Sequence, residues 1–297
     1  METFLLKGKP VSDELRFKLK SRVNTLASER IIPKLAAILI GDDPSSHVYV
    51  RNKGRAFKKL NCTSDTYNLP ADINEQKILD LIDKLNNDID VHGILIQLPL
   101  PRNLNEQKIL YSVSPKKDVD GFHPYNLGSL LGGNPKFIPC TPNAVLEILK
   151  HYNIPVAGRH AVIVGRSNIV GKPLFALLAQ KFEIGNATVT ICHTGTQDLK
   201  KHTNQADILI AAAGCPKMIN GDMLKVGVDI VDVGINHVDD DSEKGYHLVG
   251  DVHTESVMGI ANSITPVPGG VGPMTITMLL FNTVMSAERC RSSAVAV

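Results

Sequence analysis

The chain has 297 residues, with 32 Lys and Arg against 30 Asp and Glu, which gives a net charge of +2 when histidines are neutral. With 43% hydrophobic and 21% charged residues, it has the composition of a globular protein of one large domain or two medium ones. The balanced charge provides no basic field for nucleic acid, and no apolar run reaches the roughly 18 residues that span a bilayer. We therefore expect neither nucleic acid nor membrane as a partner.

The cysteines are odd in number and widely spaced, and none forms a C-x-x-C pair: Cys62, Cys140, Cys192, Cys215 and Cys290. This pattern argues against a disulfide framework and against a structural zinc site, so we predict reduced thiols and no metal. The N-terminal residues lack the charged-then-apolar pattern of a secretory signal, and they include Glu2, Asp13 and Glu14, unlike an acid-poor transit segment. The cytoplasm is favoured, and the mitochondrion is left open.

The first half of the chain alternates short apolar runs with helical patterns. Residues 35–40 predict a buried strand, which turn residues and a helix over about 46–60 follow. Apolar residues spaced i, i+3, i+4 and i+7 over 78–85 predict a second helix, and 93–96 predict a strand that ends at Gln97. This alternation is typical of parallel-sheet α/β proteins.

The second half repeats the alternation in a way that suits a doubly wound nucleotide-binding sheet. A helix begins near Thr141, and a long helix after Gly272 closes the chain and can pack on either half. Strand-like runs lie between them at 161–164, 188–192, 208–213 and 229–233. We predict a two-domain α/β protein: an N-terminal α/β domain plus a Rossmann-like NAD(P)-binding domain, with a cleft between them.

The loop from Gly165 to Pro173 follows a predicted strand and opens a helix, the place where a pyrophosphate meets a helix N-terminus. Ser167 replaces the second glycine of G-x-G-x-x-G, so a plain strand-to-helix turn is also compatible with this loop. No acid ends the next strand, where an NAD site usually has one. Arg166 can bind a 2′-phosphate, so NADP is favoured. The simpler interpretation is that Arg166 is a solvated loop charge and Thr194 caps a helix.

Five side chains in the first half are candidates for a second site. Ser46, Tyr49 and Lys53 share one helix face, which can line a cleft, although a solvated lysine and a half-buried tyrosine are commoner at such spacing. Gln97 ends a buried strand at the edge of a parallel sheet where ligands bind. The loop around Asp120 can present a carboxylate, or it is only an acidic turn.

The segment 266–273 is too rich in glycine and proline for regular structure. Its exposed backbone can approach a flat ligand closely.

Five segments in this order resemble the bifunctional methylenetetrahydrofolate dehydrogenase/methenyltetrahydrofolate cyclohydrolase family, and the likeness covers nearly the whole chain. They are Tyr49-Val-Arg-Asn-Lys53, Gln97-Leu-Pro-Leu-Pro101, Lys117-Asp-Val-Asp-Gly-Phe-His123, Gly165-Arg-Ser-x-x-Val-Gly-x-Pro173 and Thr265-Pro-Val-Pro-Gly-Gly-Val-Gly-Pro-Met-Thr275. The resemblance implies that Lys53 is catalytic and assisted by Gln97, that Tyr49 stacks on the folate ring system, and that Asp120 binds the pterin edge, with Ser46 in the same site.

The resemblance further implies oxidation of 5,10-methylenetetrahydrofolate with NADP, hydrolysis of the product to 10-formyltetrahydrofolate, and a homodimer. It implies a folate-binding domain over 1–143 completed by 272–297, and an NADP-binding domain over 144–271. The implied substrate-binding residues include Pro268, Gly269 and Gly272 besides the first-half set, and the implied cofactor-binding residues are Gly165, Arg166, Ser167, Thr194 and Ile235.

One departure from the family concerns the nucleotide. Many members carry a basic residue at or just after the position of Thr194, so this chain is expected to hold the 2′-phosphate less tightly. Two alternatives are weighed against the resemblance: another NADP dehydrogenase with a catalytic lysine, of the shikimate type, and a non-enzymatic nucleotide-binding protein. The segment 266–273 argues against the first, and the joint presence of Tyr49, Lys53, Gln97 and Asp120 argues against the second.

Overall fold

The computed structural model describes residues 2–241 and 245–295. The chain forms two compact units, each built from two stretches of sequence. The first, here the nucleotide unit, comprises the residues up to Asp13 together with Thr141–Thr275; the second, the lysine unit, comprises Glu14–Cys140 and the chain from Ile276 onward.

Helices and strands alternate along both units. The helices are α1 (Gly8–Ser28), α2 (Pro44–Lys59), α3 (Glu75–Asn87), α4 (Glu106–Ser112), α5 (Pro124–Leu131), α6 (Cys140–His151), α7 (Gly171–Ala179), α8 (Leu199–Thr203), α9 (Thr254–Val257) and α10 (Val271–Val295). The strands are β1 (Phe4–Leu5), β2 (Lys34–Ile40), β3 (Thr63–Leu69), β4 (Gly93–Ile96), β5 (His160–Val164), β6 (Thr188–Cys192), β7 (Ile208–Ala211), β8 (Asp229–Asp232), β9 (Asn236–Asp239), β10 (Tyr246–Val249) and β11 (Ser263–Ile264). None of the described helices is long and apolar enough to cross a bilayer.

The lysine unit is built on a parallel sheet of order β3-β2-β4. β2 is apolar and buried along almost its whole length, as a central strand covered on both faces must be. α3 packs its buried face, Ile78, Ile82 and Leu85, onto this core. The predicted strands and helices of the first half are confirmed, and α10 joins the unit through Arg22 Nη2, 2.6 Å from Glu288 Oε2.

The nucleotide unit is built on a parallel sheet of order β1-β11-β8-β7-β5-β6, which confirms the predicted Rossmann-like fold. β5 has β6 on one side and β7 on the other, so the winding direction changes at β5. In open α/β sheets ligands bind at this switch point, outside the carboxyl ends of the strands. The loops after β5, β6, β7 and β8 therefore surround the expected nucleotide position.

The N-terminal residues belong to the nucleotide unit, whereas the sequence analysis assigns them to the folate-binding domain. β1 pairs in parallel with β11, with Phe4 opposite Ser263, and Leu6 N donates to Ile264 O at 2.8 Å. The residues up to Asp13 therefore group with the nucleotide sheet rather than with the unit that contains β2. A two-residue edge strand carries too short a pattern to be detected in the sequence.

Candidate active site

Lys53 occupies the buried face of α2. The helix begins at Pro44 behind the N-cap Asp43, whose carboxylate accepts a hydrogen bond from Ser46 N at 2.8 Å. Two turns of regular helix bring Ser46, Tyr49 and Lys53 onto one face, and Lys53 is only 7% exposed. Its Nζ lies 4.6 Å from the Tyr49 ring centroid, within cation–π distance. The solvated-lysine alternative is therefore wrong for this chain.

Gln97 fixes the position of the lysine amine. Its Oε1 accepts a hydrogen bond from Lys53 Nζ at 3.0 Å, and its Nε2 donates to Leu98 O at 2.7 Å. Since Leu98 O can only accept, the amide orientation follows from this bond, and the oxygen must face the lysine. The side chain is half-buried at the carboxyl end of β4, so it can orient the amine without neutralising its charge.

A tight turn presents Asp120 to the same site. Ile94 N donates to Lys117 O at 2.8 Å, which lays the start of the turn alongside β4. Asp118, not Asp120, holds the turn: its carboxylate accepts from the backbone of 121–123 at 2.9–3.1 Å and from Asn126 Nδ2 at 2.7 Å. Gly121 is required because φ is +77° and a Cβ would lie 2.9 Å from Pro139 N.

Two residues that the sequence analysis missed pack beside Asp120. Cys140 is buried, its thiol donates to Val119 O at 3.5 Å, and it influences the pKa of the Asp120 carboxyl. Asn282, on α10, donates from Nδ2 to Val119 O at 2.8 Å and to Ile138 O at 3.0 Å. A single cysteine and a helical asparagine carry no motif, so only the tertiary structure identifies them.

Burial moves the ionisable groups of this site toward their neutral forms. It lowers the pKa of Lys53, and the nearby Asp120 and Cys140 offset only part of that shift. Burial also raises the pKa of Asp120, against the opposing influence of Lys53. The pKa of the Cys140 thiol lies well above its usual value for the same reason. The site thus holds an amine that can lose its proton more easily than a surface lysine does.

In the nucleotide unit, the loop after β5 is shaped by two glycines. Gly165 has φ +132°, and a Cβ there would lie 2.0 Å from Ala212 O. A Cβ on Gly171, the first residue of α7, would lie 2.1 Å from Gly165 O. Ser167 Oγ accepts from Val170 N at 3.1 Å and closes the turn. A loop folded this tightly onto a helix N-terminus leaves backbone close to a ligand, so the residues present fit a dinucleotide pyrophosphate.

The other predicted nucleotide contacts lie on exposed loops. Arg166 and Thr194 are exposed, after β5 and β6 respectively. Thr196 Oγ1 accepts from His193 N at 2.8 Å, so this hydroxyl caps its own turn. β5 and β6 are neighbours in the sheet, which places the two loops at adjacent strand ends.

The remaining predicted residues line one cavity of about 200 Å³ within the nucleotide unit. Ile235, from the loop after β8, lines it together with Pro268, Gly269 and Gly272. Ile235 is 52% exposed, and a Cβ on Gly272 would lie 3.4 Å from its Cδ1. An exposed apolar side chain beside a glycine-rich segment forms a surface on which a flat ring can pack.

A doubly wound parallel sheet with a glycine-tight loop at its switch point defines a dinucleotide-binding fold, and the buried lysine adds an acid–base group. The chain is therefore of the class of NAD(P)-binding α/β enzymes. The model of the tetrahydrofolate dehydrogenase/cyclohydrolase catalytic domain matches residues 6–120, and that of the NAD(P)-binding domain of the same family matches residues 139–291. The chain belongs to the tetrahydrofolate dehydrogenase/cyclohydrolase family.

Relatives agree with this assignment over almost the full length. The chain is 51% identical over 284 residues to the bifunctional protein FolD of Exiguobacterium sibiricum, covering 96% of this chain and 99% of that protein. A crystal structure of the bifunctional enzyme FolD from Campylobacter jejuni is 48% identical with a TM-score of 0.91, covering 97% and 99% of the two chains.

A second solved structure, from Trypanosoma brucei, is a methylenetetrahydrofolate dehydrogenase-cyclohydrolase complexed with NADP cofactor and inhibitor. It is 34% identical with a TM-score of 0.92 and covers 97% of this chain and 98% of that chain. The chain is thus an enzyme of this family, and neither the shikimate-type nor the non-enzymatic alternative stands.

Proposed function

We propose that this protein oxidises 5,10-methylenetetrahydrofolate to 5,10-methenyltetrahydrofolate with NADP and then hydrolyses that product to 10-formyltetrahydrofolate. The observation that carries the proposal is the buried Lys53 amine, 3.0 Å from Gln97 Oε1 and beside the Tyr49 ring. Family membership supplies the substrate class, and the lysine supplies the group that the hydrolytic step needs.

Hydrolysis requires that a proton be taken up and returned. Water adds to the amidinium carbon between N5 and N10, and the resulting adduct loses a proton. The C–N5 bond then breaks with its electron pair going to N5, which takes a proton, while the hydroxyl on the carbon loses its proton to water and becomes the carbonyl of the formyl group on N10. One proton is released overall. Neutral Lys53 accepts the first proton, and its ammonium form can donate the second. The lowered pKa of Lys53 makes the neutral amine more available to this step than it is at a surface lysine.

The other residues of the lysine unit bind and orient the folate. Tyr49, half-buried on the same helix face, offers its ring for stacking on the pterin, and Ser46 lies one turn before it. Asp120 suits the pterin edge because a carboxylate accepts two hydrogen bonds from adjacent N–H groups. The role of Gln97 is to keep the lysine amine aimed at the reacting carbon.

The oxidation step depends mainly on positioning. NADP, when bound, supplies the hydride acceptor. The residues that we assign to hold it are Gly165, Arg166, Ser167, Thr194 and Ile235, and the residues assigned to the folate side of the same unit are Pro268, Gly269 and Gly272. The absence of an acid after β6 supports NADP over NAD, since a carboxylate there would repel the 2′-phosphate.

The decisive experiment measures both activities on the purified protein: NADPH formation with NADP and then with NAD, and loss of methenyltetrahydrofolate absorbance without nucleotide. Lys53→Met should lower the cyclohydrolase rate by about 10²-fold or more. Lys59→Met, on the same helix but exposed, is the matched control and should keep both activities. Wild-type hydrolysis by the Lys53 variant contradicts the assignment.

We also propose that the protein is a cytoplasmic homodimer. The family resemblance supports the dimer. The buried thiols of Cys62, Cys140 and Cys192 are unpaired, as expected in a reducing compartment. Light scattering on the eluted peak of a sizing column tests the dimer, and fractionation of cells tests the compartment.

A further inference from the structure

We propose that Asp251 is a positioning residue for the nucleotide, which holds the loop after β7 (residues 212–216, the β7 loop) in the conformation that receives the bound dinucleotide. The inference rests on the proposed function, because it takes the nucleotide unit as the NADP site. It assigns a role to a carboxylate that lies outside every motif found in the sequence.

The Asp251 carboxylate is completely buried and acts as an acceptor for the β7 loop. Oδ2 accepts from Ala213 N at 2.6 Å and from Gly214 N at 2.9 Å, and Oδ1 accepts from Cys215 N at 3.0 Å. Oδ1 also accepts from Asn236 Nδ2 at 2.9 Å, which ties the loop after β8 to the same group. One side chain thus fixes two of the four loops at the carboxyl edge of the sheet.

The β7 loop lies at the switch point of the sheet. β7 is the neighbour of β5, and Ala212 N donates to Val164 O at 2.8 Å. Gly165, which opens the loop after β5, approaches Ala212 so closely that a Cβ would lie 2.0 Å from its carbonyl oxygen. A shift of the β7 loop must therefore disturb the loop that we assign to the pyrophosphate.

Asp251 is itself held in place. Its backbone N donates to Asp232 Oδ1 at 3.0 Å, and a Cβ on Gly234 would lie 2.3 Å from Asp251 Oδ1. A Cβ on Gly250 would lie 1.9 Å from Asp232 Oδ2. Glycines at these two positions leave just the space that the two carboxylates fill, so the geometry is specific to aspartate at 251.

A carboxylate is needed because all the groups around it donate. Asparagine has the same shape, but its NH₂ group must face backbone N–H donors whichever way the amide is turned. Asp251→Asn therefore leaves at least one buried N–H unpaired and frees the β7 loop to move, without leaving a cavity.

The test compares nucleotide binding and the two activities in Asp251→Asn. We expect the Kd for NADP, measured by calorimetry, and the KM for NADP to rise about tenfold, with the dehydrogenase kcat at saturating NADP reduced less than threefold. The cyclohydrolase, assayed without nucleotide, should stay within about twofold of wild type, because its lysine lies in the other unit. A general loss of stability would lower the melting temperature without raising the Kd and KM for NADP while sparing the cyclohydrolase.

Asp229→Asn is the matched control. Asp229 is a buried carboxylate of the same sheet, but at the amino end of β8, where it binds Arg159 Nη1 at 2.8 Å. This variant should lower the melting temperature and leave NADP binding unchanged. Equal weakening of NADP binding in both variants, or unchanged binding in Asp251→Asn, overturns the proposal.

If Asp251→Asn does not fold, Asn236→Ala tests the proposal instead. That variant removes one of the groups that donate to the Asp251 carboxylate and leaves the carboxylate in place. Its Kd for NADP should rise about threefold, and an unchanged value overturns the proposal. A wild-type protein that binds NADP but turns over no folate refutes the proposed function, whereas the comparison of Kd values still tests the role of Asp251.

Discussion

Replacing Gln97 by glutamate tests whether a deprotonated lysine carries out the hydrolysis. The two side chains have the same shape, and the change puts a carboxylate oxygen where Gln97 Oε1 now accepts from Lys53 Nζ at 3.0 Å. Burial lowers the pKa of Lys53, and the new charge opposes that effect by stabilising the ammonium. We expect the change to raise the pKa of Lys53 and so to leave the cyclohydrolase with less neutral amine at a given pH.

The size of the effect follows from the distance. Coulomb's law at 3.0 Å with an effective dielectric constant of about 20 gives an attraction of ~5 kcal/mol. Gln97 is only half-buried, so solvent screening reduces this to roughly 2–3 kcal/mol, which is about 2 pKa units. The neutral fraction of Lys53, and with it the hydrolysis rate, should fall about 10²-fold at a pH below the original pKa, and by less between the original and the new pKa.

The assay is the pH dependence of methenyltetrahydrofolate hydrolysis. Because the neutral amine is the active form, the wild-type rate rises with pH through the pKa of Lys53 and then levels off. In Gln97→Glu the rising limb should move about 2 pH units higher, with the plateau restored at alkaline pH. Gln107→Glu, an exposed exchange on α4, is the control and should leave the profile in place. If the rate of Gln97→Glu falls at every pH and the rising limb stays in place, the argument is refuted. The loss would then come from a misoriented amine rather than from its protonation.

Two further predictions concern the ligands. Arg166→Ala should raise the KM for NADP about tenfold, or ~1.4 kcal/mol, and leave the NAD reaction nearly unchanged, because only NADP carries the 2′-phosphate. Equal losses with both nucleotides mean that Arg166 shapes the loop instead of reading the phosphate. Asp120→Ala should weaken folate binding by roughly 1.5–3 kcal/mol, the range for a hydrogen bond to a charged group, with NADP binding near normal in titration calorimetry. Parallel loss of both ligands would point to misfolding.

Hydrophobic pattern was sufficient to predict the buried strands. β2, β4 and β5 are short apolar runs with turn residues on either side, and each lies within one residue of its predicted start and end. β3 was missed because its sequence, Thr63–Leu69, is largely polar and only partly buried at the sheet edge. β1 was missed because two residues form no period, and its place in the sheet depends on pairing with β11, more than 250 residues away.

In the candidate site, too, some residues could be predicted from the sequence and others could not. Lys53 and Gln97 were predicted from a helix period and from a strand end, and the structure joins them by a hydrogen bond. Their spacing alone does not separate them from a solvated lysine and a surface glutamine, because burial is a property of the packed unit, and only the family resemblance of their segments implied a catalytic role. Asp251 and Asn282 lie in segments without a recognisable motif, and their hydrogen bonds go to backbone groups far along the chain.

The same hydrogen-bonding arrangement supports the functional loops of both units. Asp118 accepts from three successive backbone N–H groups, of residues 121–123, and from the amide of Asn126. Asp251 accepts from the N–H groups of 213–215 and from the amide of Asn236. A buried carboxylate whose oxygens accept from several backbone donors is committed to holding the backbone in place.

This distinction separates the two acids of the Asp-x-Asp-Gly turn. Asp118 uses its oxygens to hold the turn, so the turn keeps its shape without help from Asp120. Asp120 lies beside Cys140 and Lys53 with its pKa raised by burial, in a site where a ligand with N–H donors would stabilise its anionic form. Because Asp118 holds the turn by itself, Asp120 is available for the contact with the pterin that we propose.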